Sequence, residues 1–138
     1  MSSTSGLKSS DCNSWPPLSA DEIETKVQKL PLWHVEGTAP PILLREFKTK
    51  NFSTALEYIN HAGAVCEERG HHANFHLTGW NTVKVEIYSH GTNSLTENDF
   101  NLAVAMDKGF SIAYSKKWLK ENPESQKLIE AAQEAKEV

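Results

Sequence analysis

The sequence predicts an α+β domain: a two-layer α-β-β-α-β-β-α arrangement in which a four-stranded antiparallel sheet carries helices on one face. Three observations lead there. Phe52, Ala55, Leu56, Ile59, Ala62, Gly63 and Cys66 recur at helical spacing, one apolar stripe along a helix from about Phe52 to Arg69. Val83, Val85 and Ile87 alternate with Lys84, Glu86 and Tyr88, a strand with one covered and one more polar face, as antiparallel sheets have. Strand-like segments also occur as two pairs, each joined through turn formers.

The elements follow in order. Residues 1–17 are small, polar and interrupted by Pro16-Pro17, and read as a disordered leader. Ser19-Ala20-Asp21-Glu22 is a capping box that opens a short helix to about Lys29, which Pro31 ends. Leu32 to Val35 and Ile42 to Phe47 are short and apolar-rich, and the turn formers from Gly37 to Pro41 make them a hairpin. The long helix comes next, with Gly70 as its C-terminal cap. Asn74 to Thr78 and Thr82 to Ser89 form the second strand pair across Gly79-Trp80-Asn81. Thr96-Glu97-Asn98-Asp99 is another N-terminal box with Asp in the place of Glu, and the helix it opens is expected to bury Leu102, Ala105, Met106, Gly109 and Ala113. From Lys116 the chain is charged and helix-prone, broken at Asn122-Pro123 and docked in part through Trp118. The organisation is thus a leader over 1–17, one globular domain over 18–115 and a helical extension over 116–138.

Composition limits the function classes. Hydrophobic residues make up 38% and charged residues 23%, and the formal net charge is −4 with no basic stripe. Binding to nucleic acid needs clustered Lys and Arg to release counterions, so direct nucleic-acid binding is not expected. No apolar run is long enough to cross a membrane. The N-terminus lacks the apolar core of a signal peptide; it is Ser-rich, as transit peptides are, yet holds Asp11 and no arginine. A cytoplasmic location is expected, with an organellar transit peptide as the weaker alternative. Of the two cysteines, Cys12 falls in the leader and Cys66 on the apolar side of a helix, so no disulfide is expected between them.

Chemistry concentrates between Glu67 and Asp99. His71 and His72 are adjacent where the long helix ends, and His90 closes a strand just before Gly91. Imidazole titrates nearest to neutrality, so it can give or take a proton at cell pH. Neighbouring side chains in extended chain point opposite ways, but the turn between helix and strand lets both His71 and His72 line one pocket; two solvated loop histidines are the competing view. Asp99 is either a first-turn carboxylate favoured by the helix dipole or the group that fixes an imidazole's tautomer and supports its charged form. Glu67, one turn before His71, offers a similar partner or is simply solvated. A metal site built from His71, His72, His76 and His90 is the rival, yet no pair has the i, i+4 spacing of a helical metal motif and no Cys cluster assists, so no metal is expected. Neither a phosphate-cradling glycine loop nor a nucleophile elbow is present. The residues favour an acid/base site that needs no cofactor, and they do not identify its substrate.

The run Glu67-Glu68-Arg69-Gly70-His71-His72, then Phe75-His76-Leu77-Thr78, Ser89-His90 and Leu95-Thr96-Glu97-Asn98-Asp99, resembles the pterin-4a-carbinolamine dehydratase family. The resemblance covers about Ala20 to Ala113. It implies a dehydratase that acts on 4a-hydroxytetrahydrobiopterin or a related reduced pterin, releases water and recycles the cofactor of aromatic amino-acid hydroxylases. It places His71, His72 and His90 in the site with Asp99 beside them, and Glu67 as a supporting carboxylate. His71 and His90 are then the acid/base pair, and His72 holds substrate. Phe75 or Trp33 packs on or near the flat pterin ring. One acid and one base near neutrality suffice, so no metal or redox cofactor is implied. The family usually has Pro after the His pair, where this chain has Ala73. Family members associate as dimers and tetramers, so a homodimer or homotetramer is expected. Two other functions compete: a non-catalytic dimerisation or assembly cofactor, of a transcription factor or of the carbon-fixing enzyme, and a metal-dependent hydrolase.

Overall fold

The computed structural model describes residue 8 and residues 15–89, 91–92 and 94–137. Ser19 caps the first helix, α1 (Ala20–Val27): the Glu22 N–H donates to its Oγ at 3.2 Å and the Ser19 N–H donates to Glu22 Oε1 at 3.0 Å. That backbone bond holds the Glu22 carboxyl below its ordinary range. Its contribution is therefore present above the unfolded carboxylate pKa and is lost as pH falls through the lowered folded value. The chain continues through β1 (His34–Glu36), β2 (Ile42–Lys48), α2 (Phe52–Arg69), β3 (Asn74–Thr78), β4 (Thr82–Ile87) and α3 (Glu97–Asp107). Two more helices, α4 (Lys116–Glu121) and α5 (Pro123–Glu137), follow, and Pro123 separates them as the sequence anticipated.

The four strands form one antiparallel sheet in the order β1-β2-β4-β3. Register places Leu43 opposite Ile87, Arg45 opposite Val85 and Phe47 opposite Val83, so these six share one face. Phe75 and Leu77 join them from β3 through Val85 and Val83. Tyr58, Ala62 and Cys66 of α2 and Leu102 and Met106 of α3 cover that face in a single buried cluster. Leu43 is fully enclosed, at 0% exposure, so Leu43→Ala removes burial and leaves a void. It is expected to cost about 2–5 kcal/mol by chemical denaturation.

Because β4 inserts between β2 and β3, β3 lies at an edge of the sheet. The α2–β3 junction lies there too, and a hydrogen bond from residue 71 to Asp99 joins it to the N-terminus of α3.

Several boundaries differ from the sequence expectation: α1 ends at Val27, and β1 spans His34–Glu36 and not Leu32 to Val35, so Trp33 precedes it. The ordered chain begins before residue 18: Trp15 is buried, its indole N–H donates to the Lys8 carbonyl at 2.9 Å, and Pro17 bridges Thr96. A large apolar ring found a surface to cover there, which its polar neighbours concealed. Residues 1–7 and 9–14, with Cys12 among them, lie outside the described residues. β4 stops at Ile87, and Ser89 makes an isolated bridge to Ser94. α3 stops at Asp107, so Gly109 and Ala113 are exposed and not on its buried face. Lys108 leaves the helix in an extended conformation, and the chain turns to run beside the end of β2, where the Lys50 N–H meets the Ala113 carbonyl at 3.0 Å.

The extension docks as expected through Trp118, which is half-buried and stacks on Tyr114 with ring centroids 5.9 Å apart. Among the described residues no helix is long and apolar enough to cross a membrane.

Candidate active site

The geometry starts at the end of α2. Gly70 takes the left-handed conformation, φ 65°, and its N–H donates to the Glu67 carbonyl at 3.3 Å. The next N–H, of His71, reaches back to the Cys66 carbonyl at 3.2 Å. These paired bonds are a Schellman closure, and they turn residue 71 under the helix. His71 is consequently buried, at 3% exposure, whereas the His72 side chain is 60% exposed. Gly70→Ala places a Cβ in the disfavoured left-handed region and is expected to cost about 1–2 kcal/mol, read from the thermal midpoint.

Under the helix, His71 Nε2 lies 2.6 Å from Asp99 Oδ1. Asp99 is wholly buried. Its other oxygen, Oδ2, accepts from the Thr96 N–H and from Ser89 Oγ, each at 2.8 Å. A backbone N–H can only donate, so Oδ2 is an acceptor here. In the neutral ring, Nε2 donating to Oδ1 leaves Nδ1 as the acceptor nitrogen. Oδ2 thus accepts at the first turn of α3, while Oδ1 faces the His71 imidazole. The carboxylate is anchored by backbone on one side, so the ring it holds is positioned by a rigid group.

The other expected site residues separate. His72 Nε2 stands 3.5 Å from Glu67 Oε1 at the surface, so Glu67 serves His72 and not His71. Phe75 points into the layer between sheet and helices, opposite Val85, and is half-buried against the core. Trp33 is not brought to this junction. It is buried at 4% exposure, and its indole N–H donates to Asp107 Oδ2 at 2.9 Å, at the far end of α3. A bulky ring just before β1 fills the core before it can face a ligand at the opposite sheet edge. His90 lies outside the described residues. Four hollows in the described residues are lined by side chains other than His71, His72 and Phe75. Among the described residues no three His, Cys, Asp or Glu side chains gather as a metal cage would require.

Residues 16–109 match the family model for pterin 4 alpha carbinolamine dehydratase. The chain belongs to that family. A protein of Alkaliphilus metalliredigens, provisionally named a pterin-4-alpha-carbinolamine dehydratase, is 42% identical over 94 residues, 67% of this chain and 82% of its own length. The mitochondrial pterin-4-alpha-carbinolamine dehydratase 2 of Arabidopsis thaliana is 36% identical over 83 residues, 59% of this chain and 44% of its own length. A Brucella melitensis crystal structure, described as a transcriptional coactivator/pterin dehydratase, superposes with a TM-score of 0.61 at 28% identity. The superposition covers 67% of this chain and 96% of that one.

Against the dehydratase pattern, Ala73 changes the turn in a definable way. Burial pushes the Cys66 thiol up from its ordinary pKa, and the backbone N–H of Ala73, bonded toward that sulfur, opposes the shift in part. Proline has no N–H to give. Cys66 is thus a protonated core thiol, unsuited to nucleophilic work. Sequence reasoning passed over Ser89, which donates to Asp99. Its parity with Val85 and Ile87 was the available signal, since a hydroxyl on the covered side of a strand needs a buried acceptor.

Proposed function

We propose that this chain dehydrates pterin-4a-carbinolamine (4a-hydroxytetrahydrobiopterin) to quinonoid dihydropterin and water, in tetrahydrobiopterin recycling. The observation that carries this reading is the buried His71–Asp99 pair, 2.6 Å apart, at the position the family pattern gives to acid/base chemistry. The reaction breaks the C4a–O bond, removes the proton on N5 and adds a proton to the departing hydroxyl. One imidazole takes the first proton and another supplies the second. His71 and His90 fill these roles in either order. Asp99 holds the His71 ring in one tautomer and one orientation. His72, exposed on the same turn, holds substrate with Glu67 behind it. The test is dehydration of a synthetic 4a-carbinolamine followed by absorbance. The purified protein is expected to exceed the buffer rate, and a rate equal to buffer overturns the proposal.

That last outcome would favour the second reading, a non-catalytic dimerisation or assembly cofactor, which the description of the Brucella structure as a coactivator supports. A homodimer or homotetramer is part of either reading. β1 and β3 are the edge strands of the sheet, and α2 exposes Phe52 and Leu56. Sedimentation is expected to show an oligomer at micromolar concentration, and a monomer counts against it.

A further inference from the structure

Three segments of the chain converge on the Asp99 carboxylate: the α2–β3 junction through His71, the N-terminus of α3 through Thr96, and the chain leaving β4 through Ser89. The third has so far been given no part in the chemistry. Ser89 is 1% exposed. Its N–H donates to the Ser94 carbonyl at 3.3 Å in an isolated antiparallel bridge, which pins its backbone just beyond the end of β4. In the sequence it is the residue before His90, the second member of the proposed acid/base pair.

A serine hydroxyl carries a single proton. The neighbours of Ser89 Oγ are Asp99 Oδ2 at 2.8 Å and Thr96 Oγ1 at 3.3 Å, and the carboxylate is both the nearer and the stronger acceptor. The Ser89 proton therefore goes to Oδ2. A carboxylate turns about a broad, twofold torsion, so a single bond to one oxygen does not fix its plane. The Thr96 N–H supplies the first bond to Oδ2, at 2.8 Å. That donor is itself held from the N-terminal side, where Pro17 bridges Thr96 and the Leu18 N–H donates to the Leu95 carbonyl at 2.9 Å. Ser89 supplies the second bond from a different segment. With Oδ2 held from two directions, Oδ1 stays turned to His71 Nε2.

We infer that Ser89 is a positioning residue for proton transfer at His71: its hydroxyl, together with the Thr96 N–H, fixes the Asp99 carboxylate so that the His71 ring keeps one orientation. It acts through Asp99 and not by touching substrate. It also ties the His71–Asp99 pair to the stretch of chain that leads into His90. The effect on rate rests on the dehydratase reading; the hold of Ser89 on the Asp99–His71 bond does not, and the test has one arm for each.

The first arm is NMR of the histidine ring protons in the full-length protein. The N–H that His71 gives to Asp99 is sheltered from solvent, so it is expected as a resolved signal, assigned by its absence in His71→Ala. Ser89→Ala is expected to shift or remove that signal. Ser89→Thr keeps a hydroxyl on a residue suited to a strand end and is expected to retain it. The second arm is carbinolamine dehydration at a temperature where circular dichroism shows each variant folded. Ser89→Ala is expected to lower kcat about tenfold with KM nearly unchanged, the pattern of an interaction that serves the transition state and not substrate binding. Ser89→Thr is expected to recover most of the rate. Ser89→Cys, close to serine in size with a weaker donor, is expected to fall between the two, and it replaces the alanine variant in both arms if that one does not fold. An unmoved ring-proton signal in the variant without a serine hydroxyl overturns the inference. So does a raised KM at unchanged kcat, which would assign Ser89 to substrate contact, and so does Ser89→Thr as impaired as Ser89→Ala, which would leave Ser89 a role in packing alone. An unsubstituted protein no faster than buffer overturns the dehydratase reading instead, and the ring-proton arm then decides on Ser89 by itself.

Discussion

Replacing His71 by alanine is expected to slow carbinolamine dehydration at least about a hundredfold, the usual weight of one acid/base group. The expectation rests on geometry. His71 is buried, its Nε2 is tied to Asp99 at 2.6 Å, and its ring is therefore held in one orientation. His71→Ala also removes a donor from a buried carboxylate, so the variant is less stable as well as slower. Far-UV circular dichroism at the assay temperature separates these effects: a folded, slow protein supports the mechanism. Near-normal turnover in a folded His71→Ala protein removes it. Asp99→Asn gives an independent readout. The amide keeps the size of the side chain, but its NH₂ cannot accept a hydrogen bond. Four donor atoms now surround the two carboxylate oxygens, namely His71 Nε2, the Thr96 N–H, Ser89 Oγ and Thr96 Oγ1. With the carboxylate gone the His71 ring loses the acceptor that orients it, and carbinolamine dehydration is expected to fall about tenfold or more in a protein that circular dichroism shows to be folded. An unchanged rate in folded Asp99→Asn would assign Asp99 to helix capping alone.

The fold was legible because its signals are local. The stripe from Phe52 to Cys66 became α2 over Phe52–Arg69, and the alternation of Val83, Val85 and Ile87 became the centre of the covered sheet face. Gly70 and the Ser19 box sit where their backbone chemistry demands. Asp99 was legible twice over, since a box residue at the start of a helix is also a buried carboxylate once the helix packs. The split of His71 and His72 was not legible. Which of two adjacent side chains turns inward depends on the closure after Gly70, a matter of backbone dihedrals. Trp33 was placed at the ligand for its aromatic ring, yet a ring can serve a core equally well, and only the three-dimensional arrangement of β1 and α3 decides. Arg45 carried a signal that went unread. It shares parity with Leu43 and Phe47, and a charge on the covered side of a strand must meet a partner inside.

That partner sets the second large expectation. Arg45 is 4% exposed and its guanidinium donates to Asp107 at 2.8 Å, with its Cζ 4.9 Å above the Phe47 ring. Arg45→Leu keeps an apolar stem but takes the cation away from the Asp107 carboxylate, and removing one member of a buried pair typically costs about 3–5 kcal/mol. The Asp107 side chain is 22% exposed, so water softens the loss, and the lower end of that range is expected by chemical denaturation. The double variant Arg45→Leu/Asp107→Leu is expected to be more stable than Arg45→Leu alone, because no unmatched charge is then buried. A double variant as weak as the sum of its parts would show that the two residues act separately. Dehydration at temperatures where Arg45→Leu remains folded is expected to be unchanged. Asp107 stands eight residues along α3 from Asp99, roughly 12 Å at helical rise, and the pair that orients His71 is anchored at the other end. The Arg45–Asp107 pair thus bears on how β2, α3 and the extension hold together, while the proton chemistry belongs to the junction of α2 with β3.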